Sequence, residues 1–170
     1  MINKIKFWMI PILAGSAVLA LVQPSTATPT NITCNSSTDT PKVIATISDR
    51  GRAKEIAILN FLPQYFSPTT AVQNCQETAK TLQTLYSSGN ANFLTAEKLD
   101  RLPVVCSVER RGVGCNHYSA QVLFTLDRAD NPSQALYDML GSDFKGAQPP
   151  SPRTVSRIYS DIKPSWWRFW

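Results

Sequence analysis

Hydrophobic and polar positions alternate, then recur at helical spacing, then alternate again. Val43-Ile44-Ala45-Thr46-Ile47 is β-branched and predicts a strand. Asp49-Arg50-Gly51-Arg52 signals a turn, and Glu55-Ile56-Ala57-Ile58-Leu59 returns as a second strand, closing a hairpin. Phe61, Leu62, Tyr65 and Phe66 carry apolar content into a loop. Ser67-Pro68 then opens the clearest helix: Ser67 can cap free amides, and Pro68 suits the first helical position. Val72, Cys75, Ala79, Leu82 and Tyr86 recur at steps of three or four, which puts them on one buried stripe. The helix should stop near Ser87-Ser88-Gly89, where glycine supplies a left-handed cap.

The second half repeats the plan. Asn92-Phe93-Leu94-Thr95 is a short extended piece. Leu102 to Val108 reads as a strand with Pro103 near its start, where a missing donor is tolerated. A glycine turn at Gly112 to Gly114 leads to the strand Gln121 to Leu126. Asn131-Pro132-Ser133-Gln134 opens a second helix, with Asn131 as cap and Gln134 at the capping-box position. Ala135, Leu136, Met139 and Leu140 form its apolar face, and Gly141 closes it. A Pro-rich connection, Lys145 to Arg153, precedes a last alternating strand from Thr154 to Ile162. The order predicts an α+β fold: an antiparallel sheet built from two hairpins and a C-terminal strand, with two helices packed on one face.

The N-terminus follows neither period. Lys4 and Lys6 precede an uncharged apolar run from Phe7 to Val22, interrupted by Pro11, Gly15 and Ser16. It is shorter than the about 20 apolar residues of a membrane span. Pro24 and Ser25-Thr26-Ala27 follow, with small residues where a signal peptidase needs them, so residues 1–27 are expected to be a cleaved export signal. An uncleaved signal anchor is the competing reading, and the residues before Cys34 do not form a lipobox. Residues 28–41, rich in Thr, Ser, Asn and Pro, are expected to be a flexible lead-in to a domain spanning 42–162.

Composition then sharpens the picture. Of the 170 residues, 43% are hydrophobic, too many for a disordered chain, and 17% are charged, low for a cytosolic one. Losing the signal removes two lysines and no acid, so the charge falls from +5 to +3. What remains is scattered, with Arg50, Arg52 and Lys54 at one turn and Arg110-Arg111 at another. These read as solvated loop charges, and nucleic acid is not an expected partner.

All four cysteines (34, 75, 106 and 115) follow the signal, and an even count in an exported domain predicts two disulfides. Three connectivities are open. Cys106–Cys115 is favoured because Arg110 to Gly114 looks like a turn linking antiparallel strands, which leaves Cys34–Cys75 to pin the leading segment to the first helix. There is no Cys-x-x-Cys and only one histidine, so neither a metal nor redox catalysis is expected.

The ordered set of landmarks resembles the cyanobacterial circadian oscillating protein family. Its carriers are Cys34, the hairpin Val43–Leu59, Phe66-Ser67-Pro68 with Asn74-Cys75-Gln76-Glu77, and Asn92-Phe93-Leu94-Thr95. They continue through Leu102-Pro103-Val104-Val105-Cys106, Leu123-Phe124-Thr125-Leu126, Asn131-Pro132 and Arg157 to Ile162. The resemblance implies an exported or membrane-peripheral protein and brings no catalytic residues with it. It does not account for the Lys145 to Arg153 connection or for the aromatic C-terminus.

That C-terminus, residues 163–170, concentrates Trp166, Trp167, Arg168, Phe169 and Trp170 beside Lys163. Tryptophan suits a membrane–water interface, and neighbouring cations suit anionic lipid. The tail therefore reads as a membrane or partner contact, or alternatively as rings that fold back onto the core. His117 would need an acid and a nucleophile to act as a base, and only Ser119 is close in sequence. Asp127, Asp130 and Asn131 miss calcium-loop spacing, and Asn31-Ile32-Thr33 and Asn35-Ser36-Ser37 match a glycosylation pattern that is incidental in a bacterial chain. The expected protein is an exported, disulfide-stabilised, monomeric domain that binds a protein partner or a membrane surface, without catalysis or cofactor. It would work in the periplasm or thylakoid lumen, or on a membrane periphery. The alternative is an extracytoplasmic hydrolase-like enzyme that uses His117 with acids distant in sequence.

Overall fold

The computed structural model describes residues 30–49, 52–90, 93–146 and 157–162. The expected signal, the Trp-rich tail, Arg50, Asn92, residues 147–153 of the Pro-rich connection and the start of the last predicted strand lie outside them.

Within those residues the fold is α+β, with two antiparallel sheets where a single one was expected. The first has the order β1-β2-β3, from β1 (Asn31–Asn35), β2 (Lys42–Asp49) and β3 (Arg52–Asn60). The second has the order β6-β5-β4-β7, from β4 (Phe93–Leu99), β5 (Leu102–Val108), β6 (Gln121–Thr125) and β7 (Ser160–Asp161). The predicted hairpins are therefore real, but they belong to different sheets. The helices also divide: α1 (Pro68–Ser87) packs on β1, β2 and β6, and α2 (Pro132–Met139) packs on β4 and β5.

Local chemistry explains each element. Ser67 Oγ accepts from the Thr70 amide, Pro68 fills the first turn, and Gly89 (φ +78°) takes the left-handed position after α1. Asn131 Oδ1 accepts from the Gln134 amide at the start of α2. The Gln134 side chain does not close a capping box; it donates to Asp138 at 2.7 Å. Gly141 is not a left-handed cap (φ −63°). It is glycine because a Cβ there would fall on the Ala57 carbonyl, while its own amide donates to Ile58 O at 3.0 Å.

Two readings of the chain change. Residues 31–35 are an edge strand, not a flexible lead-in: Cys34 pairs with Val43 and Ile32 with Ala45. The extended piece beginning near residue 92 runs on to Leu99 and turns through Asp100 (φ 49°) and Arg101 (φ 70°) into β5. No glycine marks that turn, which hid the hairpin.

The main core lies between the sheets and helices, around Ile58, Leu59, Leu82, Leu94, Leu136 and Met139. Phe61, Phe66 and Phe124 meet there with centroids 5.1–5.7 Å apart, joining the loop after β3 to the second sheet. A smaller core of Val104, Cys106, Val108, Val113 and Cys115 lies on the other face of the second sheet.

Candidate functional site

The two disulfides frame these two cores. Cys34 of β1 is joined to Cys75 of α1, with Cα atoms 5.5 Å apart. Gln83 reinforces the same contact by accepting from the Ile32 amide at 2.6 Å. Cys106 of β5 is joined to Cys115, with Cα atoms 5.7 Å apart. Cys115 lies in the loop before β6 and not on a facing strand, so this bridge folds residues 109–120 over the outer face of the second sheet. All four cysteines are paired.

A polar clamp holds that loop down. Glu97 of β4 accepts from the Cys115 amide and forms an ion pair with Arg157. The β4–β7 register, in which Phe93 faces Asp161 and Leu94 faces Ser160, carries Arg157 to the level of Glu97. Tyr159 donates to Val113 O at 3.0 Å and accepts from Arg157 at 3.4 Å. The Tyr159 hydrogen bond and the Glu97 charge raise the Arg157 pKa above its already high ordinary value, so the guanidinium is permanently charged.

His117 sits within this loop, half-buried. Ser119 gives its Nδ1 both partners: the backbone amide donates at 3.2 Å, and the hydroxyl lies at 2.8 Å. This is a local turn clamp two residues long, and no carboxylate bonds to the ring among the described residues. Tyr118 stacks on the imidazole, with centroids 4.2 Å apart, and is itself 92% exposed.

The acids near α2 do not converge on a cation. Asp127 accepts from the Ser67 amide at 3.1 Å, and Asn131 is occupied as the helix cap. Among the described residues there is no group of three or more His, Cys, Asp or Glu that could hold a metal. Tyr65 donates to Asp138 at 2.5 Å; burial first, and then this bond, push its pKa above the ordinary tyrosine value.

A half-open cleft of about 690 Å³ lies beside the clamp, lined by residues that include Glu97, Lys98, Asp130, Asn131, Ser133 and Arg157. Several of its polar groups are already used: Glu97 pairs with Arg157, Asn131 caps α2, and Ser133 donates to Ala96 O at 3.3 Å. The charges of Glu97, Lys98, Asp130 and Arg157 balance, and the hydroxyl of Ser133 is bonded to a backbone carbonyl and not to a base. Local sequence patterns could not reveal the Glu97–Arg157–Tyr159 clamp, because its members meet only through the β4–β7 register. Of the sequence-predicted contact residues, Trp166, Trp167, Arg168, Phe169 and Trp170 lie outside the described residues.

Fold and bridges together define a doubly stapled α+β domain with two unequal cores. Residues 32–166 match the circadian oscillating protein COP23 family, and the chain belongs to it. No curated protein and no solved structure gives a significant match. Among the described residues no helix is long and apolar enough to cross a membrane.

Proposed function

We propose that this protein is exported and works without catalysis as a binding domain at a membrane surface or on a partner protein, in the periplasm or thylakoid lumen. The pairing of all four cysteines carries the reading. Two disulfides packed against two separate cores persist in an oxidising compartment and are rare in a reducing one. The N-terminal signal pattern supports the same location. The Trp-rich tail supports interface binding, because indole rings with adjacent cations match the head-group region of a bilayer. The local hydrogen bonding of His117 supports a structural role for that residue.

The test is recovery of the native protein from fractionated cells, followed by N-terminal sequencing and non-reduced peptide mapping. The expected result is an extracytoplasmic fraction, a start near Thr28 and the links Cys34–Cys75 and Cys106–Cys115. Recovery from the cytosol with free thiols would overturn the proposal.

A further inference from the structure

The register of the second sheet sorts its surroundings into two ends. At one end Leu99 faces Leu102 across the β4–β5 turn. At the other, Phe93 faces both Val108 and Asp161, and Ser107 faces Gln121. Segment 109–120 thus leaves the sheet and returns to it at this second end. The described chain also finishes here, at Ile162, immediately before the sequence that holds Lys163, Arg168 and the clustered tryptophans.

Cations outnumber acids in the segment that forms this end. Arg110 and Arg111 are exposed, neither forms an ion pair among the described residues, and the exposed Glu109 just before them is the one acid of segment 109–120. Arg111 lies over the Phe93 ring, 5.1 Å from its centroid, which holds the cation in place. Tyr118 and Val122, two of the exposed large apolar residues, lie in or beside the same loop at 92% and 38% exposure. The Cys106–Cys115 bridge and the Glu97 clamp keep this surface ordered before it meets anything.

We propose that the end of the second sheet carrying Arg110, Arg111, Tyr118 and Val122 is the face the protein lays on an anionic lipid surface. The proposal rests on the membrane-surface form of the reading above. Arg110 and Arg111 outnumber the single acid of the segment, Glu109, and favour a negatively charged leaflet, and an exposed tyrosine is amphipathic enough to enter the head-group layer. The opposite end of the sheet lies about 20 Å away along β4, beyond the reach of screened surface charge.

The experiment is co-sedimentation of the exported, oxidised protein with vesicles of neutral lipid alone and vesicles containing phosphatidylglycerol. The unaltered protein should prefer the anionic vesicles. Arg110→Glu with Arg111→Glu should weaken that binding about ten-fold or more. Arg110→Lys with Arg111→Lys should retain it, and Arg101→Glu at the far end should leave it within about two-fold. Matching thermal melts establish that the variants are folded. Equal binding by the Arg→Glu variant and the unaltered protein would overturn this face while leaving the membrane reading in place. Failure of the unaltered protein to bind either vesicle would overturn both. Binding to native envelope membranes but not to lipid vesicles would assign the face to a protein partner and overturn the lipid proposal.

Discussion

The two bridges close very different loops. Cys34–Cys75 spans 41 residues and ties an edge strand to the long helix over the main core. Cys106–Cys115 spans 9 residues and ties one loop to the strand just before it. The first opposes separation of parts distant in the chain. The second shapes a surface, because the small core beneath it has only five buried members. One domain therefore uses the same covalent bond for global stability and for local order.

Removing each bridge should expose this contrast most strongly. In the chain-entropy treatment, Cys34→Ala with Cys75→Ala should cost about 4 kcal/mol, and Cys106→Ala with Cys115→Ala about 2.6 kcal/mol. Urea unfolding would measure both, and equal losses would erase the distinction. Packing gives the next comparison. Leu82→Ala in the main core should cost about 2–5 kcal/mol, whereas Val113→Ala in the small core should cost about 2 kcal/mol. Hydrogen exchange should show the Val113 effect confined to residues near 109–120, and a uniform loss of protection would mean that the cores unfold as one.

Tyr65→Phe, on the main-core side, should cost about 1.5–3 kcal/mol, because Asp138 loses a donor. The Tyr65 pKa is raised in the fold, so its contribution is full below the unfolded tyrosine value, about 10. It disappears as pH climbs through the higher folded value. The alkaline fall in stability should therefore be shallower in the Phe variant, and superimposable pH profiles would contradict this. Smallest is Glu97→Gln, expected to cost about 0.5–1 kcal/mol because the Arg157 partner is partly exposed. Its signature is faster exchange at the Cys115 amide with no change in β1.

What the sequence disclosed follows the range of each interaction. Ser67, Pro68 and Asn131 act within a turn of their own helix, so both helix starts were legible. The β2–β3 hairpin was legible because its alternation and its turn are adjacent. The division into two sheets was not, since it depends on which hairpin meets which helix. β1 was hidden because Asn31 and Asn35 are poor strand signals that leave a very short β-favouring run between them, and its place depends on pairing with β2 and bonding to α1. Gly141 was recognised as a helix end, but its reason lies in a carbonyl more than eighty residues earlier. The loop carrying His117 was visible, whereas Glu97, Arg157 and Tyr159 became a unit only through β4–β7 pairing. Arg110 and Arg111 read as ordinary loop charges until the register placed them beside the chain exit.

The segment from Ser36 to Asp39 is exposed and lies between Cys34 and β2. It is the kind of segment an extracellular protease cuts first. Because Cys34 is already bonded to Cys75, such a nick would leave β1 attached to α1 and the main core covered. A clipped molecule would run as one species until reduced and as two fragments afterwards, so bridge position would determine how long the protein survives its surroundings.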